Sequence, residues 1–312
     1  MPLEDICLRV NERALAAGSR MPGWPDTARG VPNSVLRSAL FGAFGRGKRK
    51  YLNREPMASV EGNTILYTGI RLDQSDLDVW EGIIHLSRNN KFGKPIYFTV
   101  RGLLRLIGRG GPGGESIGKS DRDWLKGVIS RLKAATIEIQ QGPYAYGGSL
   151  IDEYFRDDAS GCYVVTLNPR MKVLFGRDTW TSIDWEIRSA LRGHPVAQWL
   201  HGFYSSHAKP YDYTVGNLHR LCGSETGATA TTTVQRNKAL QAWRDATLIP
   251  ALRILESACN DAGQPFSWSL PSGTLKVSRV PSSTQQKHLQ RKLQQEKNRR
   301  VWQGIASEQA GG

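Results

Sequence analysis

The stretch Gly113-Gly-Glu-Ser-Ile-Gly118-Lys119-Ser120 has the spacing G-x-x-x-x-G-K-[ST] of a loop that cradles phosphate. In such a loop backbone N–H groups wrap the phosphates, Lys119 contacts them and Ser120 holds Mg²⁺. The chemistry would be nucleotide hydrolysis, which needs a buried strand before the loop and a helix after it. The pattern that ends at Gly108 is helical, so only the second requirement is met. A different role for Lys119 fits better: contact with a nucleic-acid phosphate at a helix start, where the helix dipole also favours anions.

The other chemistry-bearing groups are scattered. His194, His201 and His207 lie close in sequence, but no acid and nucleophile accompany them, so they read as core or surface histidines. Asp73, Asp76 and Asp78 suggest a nuclease. Leu72, Leu77 and Trp80 among them point instead to the acidic first turn of an amphipathic helix. Tyr204, Tyr211 and Tyr213 lack the His-rich metal cluster of a nicking enzyme and read as core aromatics. Cys7, Cys162, Cys222 and Cys259 form no CxxC pair, which supports neither a disulfide framework nor a zinc site. The expectation is a non-enzymatic protein with no catalytic residue, no metal and no cofactor.

Charge gives the strongest positive signal. The 312 residues carry a net +14, which calls for a polyanionic partner. Residues 31–60 hold Arg37, Arg46, Lys48, Arg49, Lys50 and Arg54 against Glu55 alone. Residues 282–312 hold Lys287, Arg291, Lys292, Lys297, Arg299 and Arg300 against Glu296 and Glu308. Neither flank sets an apolar stripe beside its charge, so nucleic acid is favoured over a membrane surface. In these flanks Phe44, Tyr51 and Trp302 are suited to stacking on bases of single-stranded DNA. No apolar run approaches the ~18 residues of a membrane span. The first five residues carry acid where a secretory leader needs base, so a cytoplasmic protein is expected.

An internal repeat sets the architecture. Phe98-Thr-Val-Arg-Gly-Leu-Leu-Arg-Leu-Ile-Gly108 matches Tyr213-Thr-Val-Gly-Asn-Leu-His-Arg-Leu-Cys-Gly223 at six positions. In each, a Thr caps a helix, apolar residues recur at helical spacing, and a Gly closes it. An amphipathic helix precedes each unit, Ser75 to Asn89 and Ile183 to His207. A basic helix follows each. The first, from Asp121 to Ala135, offers Arg122, Lys126, Arg131 and Lys133, with Lys119 just before it. The second begins near Thr233 and offers Arg236, Lys238 and Arg244. Lys119, Arg131 and Lys133 are expected on phosphates; Arg122, Lys126, Arg236 and Arg244 are expected to reach bases. Strand-like runs follow: Thr136 to Gln141, Tyr144 to Phe155 and Tyr163 to Leu167, then Pro265 to Leu270 and Thr274 to Val280. Helix, strand, helix, helix and strands is the order of a winged helix.

The fold class expected is therefore α+β, with two tandem winged-helix domains and flexible basic flanks. The domains run 1–30 (loosely ordered), 31–72 (basic N-terminal module), 73–181 and 182–282 (winged helices) and 283–312 (basic tail). Pro250 should kink or restart the second helix.

Several blocks resemble the TrfA-type plasmid replication initiators. They are Val31-Pro-Asn-Ser-Val-Leu-Arg-Ser-Ala-Leu-Phe-Gly42, Arg71-Leu-Asp-Gln-Ser-Asp-Leu-Asp-Val-Trp-Glu81, Gly148-Ser-Leu-Ile-Asp152, Ala190-Leu-Arg-Gly193, Gln198-Trp-Leu-His-Gly-Phe-Tyr-Ser-Ser-His-Ala-Lys-Pro-Tyr211, Leu218-His-Arg-Leu-Cys-Gly-Ser-Glu225 and Ala262-Gly-Gln-Pro-Phe266. The resemblance implies winged helices that bind double-stranded direct repeats (iterons), open an adjacent A·T-rich region and bring in host replication proteins: the host initiator, helicase and sliding clamp. Monomer and homodimer both stay open. Thr226 to Val234 and the glycine run Gly108 to Gly114 depart from the family pattern. Leu40-Phe41 has two readings, a peptide for a sliding clamp or one face of a buried helix. The alternatives to an initiator are a nucleotide-dependent DNA enzyme using the Gly113–Ser120 loop and a DNA-binding repressor.

Overall fold

The structure, a computed structural model, describes residues 20–310 apart from 46, 48, 61, 112–115, 142–143 and 177. Gly113 to Glu115, Arg46, Lys48, Cys7 and the side chain of Trp302 thus lie outside the described residues. Two hydrophobic cores divide the fold. One gathers side chains from Met21 to Ile183, the other mainly from Ile187 to Leu275.

The first half is closed by its own ends. β1 (Ala28–Pro32) pairs antiparallel with β11 (Trp180–Asp184). After β1 come α1 (Asn33–Leu36), β2 (Phe41–Gly42), β3 (Tyr51–Met57), β4 (Asn63–Ile70) and β5 (Leu72–Asp73), with β2 parallel to β5. Then follow α2 (Gln74–Ser87), β6 (Ile96–Thr99), α3 (Val100–Leu106), α4 (Lys119–Ala134), β7 (Thr136–Gln141), β8 (Tyr144–Gly148), β9 (Glu153–Asp157) and β10 (Cys162–Thr166). Trp80 on α2 is fully buried and stacks on Phe41 at 5.9 Å.

The second half contains α5 (Trp185–Ala190), α6 (Pro195–Ser205), β12 (Tyr213–Thr214), α7 (Val215–Leu221), α8 (Thr233–Trp243), α9 (Ile249–Asp261), β13 (Phe266–Ser269) and β14 (Thr274–Arg279). A 28-residue helix, α10 (Ser283–Ala310), follows. The core here centres on Phe203, with Trp199 stacked at 4.6 Å and Tyr213 edge-on at 5.1 Å.

The repeat is built alike in both halves. Thr99 Oγ1 accepts from Gly102 N at 3.0 Å, and Thr214 Oγ1 accepts from Asn217 N at 3.2 Å. Val100, Leu103 and Leu104 are buried in one copy, and Val215, Leu218 and Leu221 in the other. Gly108 and Gly223 both turn with φ +69°, a conformation that costs a side chain dearly. Each unit carries a three-stranded antiparallel sheet, ordered β6-β10-β9 and β12-β14-β13: first, third, second strand of its unit.

Several expectations change. Thr136 to Gln141 and Tyr144 to Gly148 do not extend the first unit's small sheet. They form β7 and β8 of a four-stranded sheet, β3-β4-β7-β8. The cause is pattern matching: Ile137 and Ile139 bury on the face where β4 presents Ile65 and Tyr67. Residues 31–72 therefore share a sheet and a core with 73–181 rather than standing apart. Residues 20–30 are not loose either. Met21, Trp24 and Ala28 are buried, and the Trp24 indole N–H donates to His85 Nδ1 at 3.1 Å. Ile183 to His207 is not one helix. Ile183 lies on β11, and Gly193 (φ +86°) with Pro195 at the start of α6 separates α5 from α6. The helix restarts at Pro250 as expected: a π turn at Arg244–Leu248 precedes it, and α9 begins at Ile249 with the proline in its first turn, where it has no N–H to give. The tail from Ser283 is helical, and its Arg291 and His288 lie 3.2 Å and 3.6 Å from Asp178 in the first half. No helix of the described residues is long and apolar enough to cross a membrane.

Leu40 and Phe41 are 1% exposed. Side chains held in the core cannot enter a pocket on another protein, so the clamp-peptide reading fails. Phe41→Ala should lower the unfolding free energy by ~3–5 kcal/mol in a urea titration. A loss under about 1 kcal/mol would return Phe41 to the surface.

Candidate nucleic-acid interface

The first basic helix is pinned at its start and along one face. Gly118 caps it, its N–H donating to Asp121 at 3.1 Å. Arg109 donates to the same carboxylate at 2.8 Å and lies 3.8 Å over the Trp124 ring. The Arg109 guanidinium and the Gly118 N–H hold Asp121 below the usual carboxylate range. Leu125, Val128, Ile129 and Leu132 bury the inner face.

The outer face is less available than its composition suggests. Arg131 lies 2.6 Å from Asp76, a fully buried carboxylate that also takes Arg49. Burial pushes Asp76 up, and both arginines oppose that shift. Arg131 therefore holds α4 to α2, and the phosphate contact expected of it is corrected. Lys126 lies 3.0 Å from Asp158, and Lys133 donates to the Asp152 carbonyl. These are surface contacts worth little, so phosphate can displace them. Lys119 and Arg122 are exposed, with no ion pair among the described residues.

The second basic helix stands bare. Thr232 and Gln235 close a capping box at its start, with Gln235 N donating to Thr232 Oγ1 at 3.2 Å. Every residue from Thr233 to Lys238 is exposed. Only Trp243 is buried, its ring edge-on to His219 at 4.9 Å. A helix without an apolar stripe gains little from its own domain, and α8 is held by its cap and by Leu240 and Trp243, which lie beside Gly216 and His219 of α7. It presents Arg236 and Lys238 to solvent. Arg244 pairs with Asp245 at 2.7 Å, a surface contact as displaceable as that of Lys126, and lies beyond the exposed run.

Three exposed arginines were missed in the sequence: Arg101 and Arg105 on α3, and Arg220 on α7. Arg105 and Arg220 occupy equivalent places in the repeat, where the identity itself was the available signal. The two hairpins also differ. The β9–β10 turn carries Asp157 and Asp158, which repel phosphate, while the turn before β14 is Pro271-Ser-Gly273 and uncharged.

The remaining chemistry-bearing residues are structural. Asp73 caps α2 and Asp78 pairs with Arg188 at 2.7 Å. Burial pushes the Cys222 and Cys259 thiols up to about 12, leaving them protonated and poor nucleophiles. It pushes His201 down to about 3 and His207 to about 4. No group of acids, histidines and cysteines among the described residues could hold a metal ion. At the glycine-rich segment, α3 ends at Leu106 and Gly118 caps α4. The described residues between them form no strand, so the strand that a phosphate-cradling loop follows is not in place there. Phe44 lies under Arg71, 4.5 Å from ring centre to guanidinium carbon, while Tyr51 is exposed.

Comparison with known proteins agrees with the resemblance in the sequence. Plasmid replication initiator protein TrfA of Escherichia coli is 28% identical over 212 residues, which make up 65% of this chain and 53% of that protein. The chain thus spans about half the length of that relative. Two crystal structures of RctB domains 2 and 3 cover 80% and 79% of this chain and 97% and 96% of their own. Their TM-scores are 0.46 and 0.47, at 11% and 13% identity. The TrfA protein family matches residues 10–256, most of the chain. On that match, the chain belongs to the TrfA family.

Proposed function

We propose that the chain is a plasmid replication initiator that binds direct repeats at its origin through two winged-helix units, opens an adjacent A·T-rich region and recruits host replication proteins. The observation that carries the reading is the repeated unit: the same helix cap, the same glycine turn and the same strand order, each followed by a basic helix. In the second copy that helix is bare over six consecutive residues, as a helix destined for a major groove must be. The net charge of +14 supplies the nonspecific attraction. In this reading α4 and α8 enter successive grooves, α3 and α7 approach the backbone with Arg105 and Arg220, and Lys119 meets a phosphate. A footprint on the chain's own plasmid origin, with strand opening probed in the same reaction, tests it. Protection should extend over roughly two helical turns per monomer. Protection confined to one turn would overturn the two-reader arrangement.

Lys119→Ala should weaken binding to cognate and scrambled DNA alike and lower the salt slope by about one unit. The wild type should not bind ATP in calorimetry. ATP turnover that Lys119→Ala abolishes would restore the nucleotide-dependent enzyme.

A further inference from the structure

The ends of the two repeated helices are clasped crosswise. A helix end leaves carbonyls without intrahelical donors. At the first turn the donors come from the second half: Arg192 Nη2 donates to the Ile107 carbonyl at 2.7 Å, and its Nη1 to the Gly108 carbonyl. At the second turn the donor comes from the first half: Arg71 Nη2 donates to the Gly223 carbonyl at 2.8 Å. Arg71 is itself held by Glu225 at 2.6 Å and by the Phe44 ring beneath it. A Cβ on Gly108 or Gly223 would run into the guanidinium that clasps it. Both arginines also set positive charge at a helix C-terminus, where the dipole welcomes it.

Between the clasps, α2 meets the second half through polar side chains, while Leu36 lies against Gly202 and Ala43 joins the second core. Gln74, Asp78 and Glu81 form one stripe of α2 facing the second half. Arg188 Nε lies 2.7 Å from Asp78 and 3.0 Å from Glu81, and its Nη2 donates to the Gln74 carbonyl at 3.2 Å. Gln198 adds a 3.3 Å hydrogen bond to Asp78. The hydrogen bonds to Asp78 and Gln74 are directional and favour one register, while Glu81 is held by charge alone and its oxygens accept no hydrogen bond among the described residues.

We propose that Arg71 and Arg192 are positioning residues that lock the two DNA-reading units at one relative orientation, and so set the half-site spacing the protein accepts. This rests on the two-unit reading given above. One inserted base pair moves a half-site by about 3.4 Å and turns it by about 35°. A locked pair of readers loses one set of contacts on such a site. An unlocked pair can follow it.

The test titrates the wild type, Arg71→Ala/Arg192→Ala, Arg192→Ala and Arg192→Lys against DNA. The probes are the native origin repeat, repeats with one or two base pairs inserted between half-sites, and repeats with one half-site scrambled. Thermal unfolding is followed alongside. The wild type should lose roughly tenfold or more on respaced DNA. The double variant should bind the native repeat within a few-fold of wild type and show a spacing penalty clearly smaller than wild type's, the Arg188 contacts keeping the remainder. Arg192 is exposed, so Arg192→Ala keeps the fold even if the double variant does not; it should soften the penalty, and Arg192→Lys should restore it. A full spacing penalty in folded Arg192→Ala and in the double variant would overturn the inference. So would a uniform loss on every DNA with unchanged unfolding, because the arginines would then be phosphate contacts. If respacing or scrambling a half-site costs the wild type nothing, it is the two-unit reading that fails.

Discussion

Alanine at Arg236 is expected to reduce the preference for a cognate repeat over a scrambled one by roughly 5–150-fold, the worth of ~1–3 kcal/mol for an arginine paired with guanine. The expectation comes from what surrounds the side chain. Its residue is exposed near the start of a capped helix, and among the described residues its guanidinium makes one long hydrogen bond, 3.4 Å to the Ala230 carbonyl. Breaking that bond to meet a base costs little. Removing the side chain leaves the domain intact, because nothing in the second core leans on it. Fluorescence anisotropy with cognate and scrambled repeats at one salt concentration measures the effect. If both affinities stay at the wild-type level, α8 is not a reader.

The second large effect is on stability. In the folded chain burial holds His201 neutral, with its pKa pushed down from 6.5 to about 3. The unfolded chain takes up a proton below about 6.5. Stability from this group is therefore fully present above that pH and is lost as pH falls toward 3. At pH 5 the loss is about 2 kcal/mol. His207, pushed down to about 4 by burial and then by Arg37, adds in the same direction. Glu81 acts oppositely. Burial pushes its carboxyl up to about 7, so the folded state gains from protonation as pH falls through 7. The wild-type profile is thus a difference of opposed contributions, and a variant isolates one of them. His201→Gln should lose about 2 kcal/mol less than wild type between pH 7.5 and pH 5 in urea titrations. An unchanged difference would mean that His201 is not buried and neutral.

Local grammar carried the legible part of the fold. Thr99 and Thr214, with Gly108 and Gly223, mark helix ends through bonds made within a few residues, so the repeat could be read directly. The start of α8 at Thr233 was legible only roughly, because Thr231, Thr232 and Thr233 each offer a cap within the run Thr226 to Val234. The sheet β3-β4-β7-β8 was not. Ile65 and Ile139 belong together only once two distant segments meet, and nothing local records that meeting. Arg131 shows the same gap at the site. Its position on α4 faces outward by helical spacing, but Asp76 on α2 fills the space there. Arg71, Arg188 and Arg192 look like surface charge in the sequence, and their roles exist only across the junction of the halves.

The run from Thr233 to Asp261 is one continuous helical rod, with bare α8 at one end, core-packed α9 at the other and the π turn between them. A π turn holds one residue more than an α turn, so it takes up that residue locally. Loss of a single residue between Arg244 and Leu248 would let the turn close to ordinary helix with α8 facing nearly as before, while Leu252 and Leu255 kept their places in the core. The same loss from within regular helix would swing everything ahead of it by ~100°. The turn therefore works as slack in the rod. It lets the segment change length by one residue without changing which side chains α8 displays.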